Sequence, residues 1–165
     1  MTLAEIPRSR VIELCKSKPL DSAKPWLYEP DVMQWTDETT GLKCVIRRVR
    51  GMGHLCGYVR IMRNHPAYGK DTHQMHVDVH GGVTFARRAP HKRWMRRGYW
   101  VGFDCAHLYD LIPVYQSPAL QKLLGESNTF SVGTYRDMEF VYLEVQSLAL
   151  QLSEKQARRG KHGRR

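Results

Sequence analysis

No two of the four cysteines, Cys15, Cys44, Cys56 and Cys105, stand in a C-x-x-C pair, the spacing that a zinc ribbon or a dithiol redox centre requires. They are expected to be free thiols packed as small apolar groups, as in a reducing compartment. Long apolar runs are missing as well. Near the start Ile6, Val11, Ile12 and Leu14 are broken up by Pro7, Arg8, Arg10 and Glu13, so no signal-peptide core forms there. Nothing approaches the roughly 20 apolar residues of a membrane span. A cytoplasmic protein with no membrane contact is therefore expected. No internal repeat is visible, and no glycine loop has the strand–loop–helix setting of a Walker motif.

Acid is scarce relative to base: 16 Asp and Glu face 26 Lys and Arg, a net charge of +10. The excess is local. Arg87, Arg88, Lys92, Arg93, Arg96 and Arg97 form one cluster, and Lys155, Arg158, Arg159, Lys161, Arg164 and Arg165 close the chain. Outside those clusters 14 basic residues face 16 acidic ones, so the basicity points to an anionic partner more than to general solubility.

A length of 165 residues fits one domain. Residues 3–16 carry weak helical periodicity, and 17–40, with Pro19, Pro25 and Pro30, read as an irregular lead-in anchored by Trp26, Leu27, Val32 and Trp35. Strands are expected from Leu42 onward. Leu42–Arg50 and His54–Ile61 form a hairpin around Gly51-Met-Gly53. Met75–His80 alternates cleanly, Val83–Ala86 begins a strand after Gly81-Gly82, and Tyr99–Asp104 alternates again. Short glycine turns between them imply an antiparallel meander.

Ser117-Pro118 starts a short helix that Gly125 can end. Thr134-Tyr-Arg-Asp137 has capping-box spacing, and Val141, Val145, Leu148 and Leu152 make the apolar stripe of a longer helix, widened by Met138, Tyr142 and Ala149. The whole reads as α+β: a central antiparallel sheet with a long C-terminal helix on one face over residues 1–152, then a basic, solvated tail from 153 to 165.

Candidate chemistry is dense between His65 and Asp110. His76, Asp78 and His80 leave the same side of one extended segment. Asp104 ends the next strand, with His107 and Asp110 just beyond it. If the two ends meet, His80, Asp104, His107 and Asp110 have the imidazole and carboxylate character of a divalent transition-metal site. The i, i+3 spacing of His107 and Asp110 equally permits a carboxylate that fixes an imidazole tautomer. Cys105 stands close enough for a thiol nucleophile to be considered, although Phe103 and Ala106 argue for a buried, inert thiol. His65-Pro-x-x-Tyr-Gly-Lys70 is turn chemistry, and Lys70 can meet a phosphate from it. A ligand pocket lined by His65, Lys70, Asp78, His80, Asp104, His107 and Asp110 is the expectation. Arg87, Arg88, Lys92, Arg93, Arg96 and Arg97, interleaved with Trp94, are the materials of a nucleic-acid or other polyanion contact.

Gly53-His-Leu-Cys-Gly-Tyr58, His65-Pro-x-x-Tyr-Gly-Lys-Asp71, Asp78-Val-His-Gly-Gly82, Trp100-Val-Gly-Phe-Asp-Cys-Ala-His107 with Asp110, and Tyr135-Arg-Asp137 occur here in that order. In these motifs the chain resembles a family of small proteins encoded by tailed bacteriophages and prophages. The resemblance covers roughly residues 50–152 and implies a phage accessory protein acting in the host cytoplasm, of the counter-defence (anti-CRISPR-like) kind. The chain departs from the family pattern at His76, at Leu108-Tyr109 and in the basicity of Arg87–Arg97.

Three readings follow, the last being a protein–protein inhibitor whose cationic face docks on an acidic host protein, with the His/Asp cluster serving only as structure. In the first, the protein is a binding factor that engages nucleic acid, a nucleotide signal or a host defence nucleoprotein complex through its basic surface. In the second, it is a metal-dependent phosphodiesterase or related hydrolase in which the His/Asp residues hold the ion and Lys70 meets the phosphoryl charge.

Overall fold

The structure, a computed structural model, describes residues 24–89, 97–124 and 132–162, with side chains as far as Ala157. Cys15, the expected helix at 3–16, Lys92, Arg93, Trp94, Arg96 and Gly125 lie outside the described residues.

Five strands make one antiparallel sheet: β1 (Val32–Thr36), β2 (Lys43–Arg48), β3 (Leu55–Ile61), β4 (Phe85–Arg88) and β5 (Tyr99–Asp104). Their spatial order is β1-β2-β3-β5-β4, so the meander expected from the turns holds for three strands and then breaks. Side-chain character explains the insertion. Tyr99, Trp100, Val101 and Phe103 of β5 are all buried, which suits a central strand covered on both faces. Phe85-Ala-Arg-Arg88 exposes two arginines and suits an edge, where cations discourage further pairing.

Among the described residues two α-helices follow, the short α1 (Pro118–Leu124) and the long α2 (Met138–His162). Met138, Val141, Val145, Leu148, Ala149 and Leu152 of α2 are buried against Met33, Trp35, Ile46, Leu55, Val59 and Phe103 of the sheet. Each fully buried leucine here contributes about 1.5–3 kcal/mol. Contact is closest over Gly57, where a Cβ would stand 2.5 Å from Val145 Cγ2. Among the described residues no helix is long and apolar enough to cross a membrane.

Four expectations need correction. Residues 32–36 are not irregular but form β1. Met33 and Trp35 alternate inward, and the prolines that argued for a loop stop short of the strand, at Pro30. The Met75–His80 segment alternates as expected, with Met75 and Val79 buried, yet among the described residues it pairs with no strand. Side chains of α2 satisfy its backbone instead. Gln151 Oε1 accepts the Asp78 N–H at 2.8 Å and Gln151 Nε2 donates to the Asp78 carbonyl at 2.7 Å, while Glu144 Oε2 accepts the His80 N–H at 2.8 Å. The α2 cap is Asp137 rather than Thr134: Asp137 Oδ1 accepts the Phe140 N–H at 2.9 Å. Finally, α2 continues through the expected tail as far as His162. Beyond Leu152 no proline intervenes, and Glu, Lys, Gln, Ala and Arg propagate a helix that is already nucleated.

The lead-in is tied to the start of α2 by a nearly sealed carboxylate. Glu29 accepts from Arg48 Nη2 at 3.1 Å, from the Tyr135 hydroxyl at 2.7 Å and from the Met138 N–H at 2.9 Å. Burial and the nearby Glu29 hold the Tyr135 hydroxyl well above its ordinary pKa, so it remains a donor.

Candidate functional site

Beyond the end of β5 the chain turns sharply. Asp104 Oδ1 accepts the Ala106 N–H at 3.1 Å, and the Asp110 N–H reaches the His107 carbonyl at 3.0 Å. Tyr109 takes φ +68°, a left-handed conformation that costs a residue with a side chain about 1–2 kcal/mol. It is held there by a short parallel bridge, with the Thr134 N–H on the Tyr109 carbonyl at 2.8 Å and the Leu111 N–H on the Thr134 carbonyl at 3.0 Å.

This turn delivers Asp110 into the interior at 0% exposure. Both of its oxygens are engaged. Oδ2 lies 2.8 Å from His80 Nε2 and accepts the His107 backbone N–H at 3.0 Å, and Oδ1 accepts Arg136 Nε at 2.8 Å. Burial alone would raise the carboxyl pKa. The bonds from His80, Arg136 and His107 outweigh it and hold the group below the ordinary aspartate value, hence ionised at neutral pH.

The two imidazoles meet edge to face, with ring centroids 5.2 Å apart, and the His80 ring also stands edge-on to Phe140 of α2 at 5.3 Å. One ligand atom from each of His80, His107 and Asp110 falls within 4.8 Å of the others. His107 Nδ1 is buried and has no hydrogen-bond partner, although Asp110 Oδ2 is only 3.5 Å away. A buried nitrogen left without a partner beside a carboxylate is costly unless something else takes its lone pair or its proton. The ring is pressed into place by Gly81, where a Cβ would come 2.0 Å from His107 Cε1.

The expected site residues separate into groups. His80, His107 and Asp110 come together. Asp104 stands at the opposite edge of the His107 ring, its Oδ1 3.9 Å from Nε2, where it faces the nitrogen that points away from Asp110. His65 does not join them: it is buried, with Nε2 2.8 Å from the Leu152 carbonyl and Nδ1 accepting the Ala67 N–H at 3.0 Å, and it ties its turn to α2. Asp78 and His76 are exposed, and Lys70 lines a separate cavity of about 220 Å³ with Pro66, Met75, Val77, Leu152 and Lys155. Cys105 is buried, and burial followed by the charge of Asp110 pushes its thiol far above the ordinary range, which removes it as a nucleophile. Of the basic segment, Arg87, Arg88 and Arg97 are described, and all three are exposed.

Two residues were overlooked. Arg136 completes the environment of Asp110. His54, 8% exposed, lies where β3 begins, and the adjoining ladder pairs Cys56 with Asp104. Its Nδ1 is also buried without a partner, and burial lowers its pKa despite Asp104 and Asp110 nearby. The signal for both was present: a histidine opening a strand after a glycine, and the arginine of Tyr135-Arg-Asp137.

No protein-family model, curated protein or solved structure matches this chain.

The two glycines after His80 separate packing from backbone strain. Gly81 and Gly82 have φ +65° and +82°, but a Cβ at Gly82 meets nothing within 4 Å. Alanine at Gly82 is expected to cost about 1–2 kcal/mol in urea unfolding from backbone strain alone, and alanine at Gly81 more than that, because its Cβ also has to displace the His107 ring. Only Gly81→Ala should also move the His107 ring signals in an NMR spectrum.

Proposed function

We propose that His80, His107 and Asp110 bind one divalent transition-metal ion and that the protein is a metal-dependent hydrolase. The observation that carries this reading is the convergence of the three donors around a buried, unpartnered His107 Nδ1. Bonds of about 2.0–2.1 Å in a tetrahedral site place neighbouring donors about 3.3 Å apart. The separations of 2.8 Å and 3.5 Å from Asp110 Oδ2 to His80 Nε2 and His107 Nδ1 bracket that spacing. Two imidazoles and one carboxylate leave a fourth position for water, and binding to such an ion brings the pKa of that water down to about 7.

The surrounding groups support hydrolysis. Asp104 faces the second nitrogen of His107, the place of the carboxylate that orients a metal-bound imidazole. Arg136 offsets the charge of Asp110 and remains 28% exposed, so its other donors are available to a developing oxyanion. His54, its pKa lowered by burial, is neutral at pH 7 and suited to accept a proton from the attacking water.

Protein purified without chelator, or stripped and titrated with zinc or manganese, is expected to hold one ion per chain and to hydrolyse bis(p-nitrophenyl) phosphate. His107→Ala should weaken metal binding at least 100-fold while the protein stays folded. Wild-type protein that takes up no ion at millimolar metal would refute the proposal.

A second reading is favoured by the β4 edge, where exposed Arg87 and Arg88 sit over the rings of Phe85 at 4.5 Å and Tyr68 at 5.9 Å. Cations layered on aromatics at an open edge suit a polyanion, as in an accessory factor that engages nucleic acid or a defence nucleoprotein complex. Binding of a labelled oligonucleotide should then fall steeply with salt and weaken about tenfold in Arg87→Glu/Arg88→Glu. Unchanged binding would remove this reading.

A further inference from the structure

His65 opens the tight turn that precedes the extended segment. Its N–H reaches the Met62 carbonyl at 2.9 Å, and its own carbonyl accepts the Tyr68 N–H at 3.0 Å. The residue is buried, at 2% exposure, and both ring nitrogens are used. Each partner has a single possible role. The Leu152 carbonyl, 2.8 Å from Nε2, can only accept, and the Ala67 N–H, 3.0 Å from Nδ1, can only donate. One species alone makes both contacts, the neutral imidazole with its proton on Nε2. A proton added at Nδ1 would set one N–H against another, and both would lose an acceptor in a place closed to water.

The charges around the ring act in the same direction. Among the described residues the charged groups that bear on it are Lys155 from α2 and Lys70 from its own turn, both cationic. Met75 and Val77, on the extended segment, bring no charge. Burial holds His65 below the ordinary histidine pKa, and the two ammonium groups add to the effect, while the Leu152 carbonyl opposes it.

The same ring joins two walls of a cavity. Pro66 and Ala67 of the turn, Met75 and Val77 of the extended segment and Leu152 of α2 enclose the space of about 220 Å³. Through Ala67 and Leu152, His65 fastens the first of these walls to the last.

We propose that His65 is an acid-operated latch: protonation at Nδ1 displaces the Ala67 N–H, drives the charged ring into water, frees the 65–70 turn from α2 and opens the cavity, while the sheet stays folded. In the open turn the ring meets water and takes its ordinary pKa of about 6.5; in the closed turn the value is lower. The advantage of the closed form is therefore complete above about pH 6.5. It is lost as the pH falls from there toward the closed-state value, by up to about tenfold in the closed-to-open ratio per pH unit. No residue of the latch belongs to the proposed metal centre, so neither reading depends on the other.

Amide hydrogen exchange of the full-length protein, followed by NMR from about pH 7.5 to about 5 and corrected for the intrinsic rate, tests the latch. Protection of the Ala67 amide is expected to hold above about pH 6.5 and then to fall by up to about tenfold per unit. The Val45 and Val59 amides, in the β2–β3 ladder, should keep their protection throughout. His65→Gln has no group to titrate at this position, and its Ala67 protection should be flat with pH, whatever its level. Flat protection in wild-type protein would overturn the latch, as would the same fall in His65→Gln. Equal losses at Val45 and Val59 would show global unfolding and overturn it too. The wild-type ring supplies a check that needs no variant: its ¹⁵N shifts should report the Nε2–H tautomer and a pKa below about 6.5, and a pKa at or above that value would contradict the proposal.

Discussion

A carboxylate removed from water has to be compensated by its neighbours, and Asp110 is compensated from three directions at once. One oxygen takes His80 and the backbone of His107, and the other takes Arg136. Those partners belong to three different pieces of chain: the extended segment before β4, the turn after β5 and the approach to α2. Their relative positions are fixed because an unpaired buried charge costs about 3–5 kcal/mol when one partner is lost. Glu29 does similar work one layer away. It gathers Arg48, Tyr135 and the first N–H of α2, and so sets the segment that carries Arg136.

The long helix has two roles in this arrangement. Its apolar stripe closes the core over β1, β2, β3 and β5, as the spacing of Val141, Val145, Leu148 and Leu152 dictates. The flank beside that stripe does something rarer. Glu144 and Gln151 hydrogen-bond the backbone of residues 78–80, so an extended segment lies along the helix with no strand partner among the described residues. His80 owes its position to that contact and to Phe140. The centre is thus built where the sheet end, the helix and an unpaired extended segment meet.

Much of this was legible in the sequence, for reasons that can be named. Period-two alternation and a glycine turn located β2 and β3, and period 3.6 located α2. Imidazole and carboxylate at strand ends singled out His80, Asp104, His107 and Asp110. What escaped was decided by tertiary contact. The alternation of Met75–His80 is that of a half-buried extended chain, and nothing in it says whether a strand or a helix flank will satisfy its backbone. Likewise, His65 has the same chemistry as His80, yet its two nitrogens are used up by Leu152 and Ala67. β1 was hidden by the prolines before it, and Arg136 by lying far along the chain from the acid it serves.

Two histidines and one aspartate can be held together for structure alone or for an ion, and the orphaned His107 Nδ1 is what separates the two accounts. X-ray absorption on zinc-loaded protein addresses that nitrogen directly. The account predicts a four-coordinate ion with two imidazole ligands and oxygen donors at about 2.0–2.1 Å, and no sulfur. A spectrum showing sulfur ligation, or only water and oxygen around the ion, would contradict it.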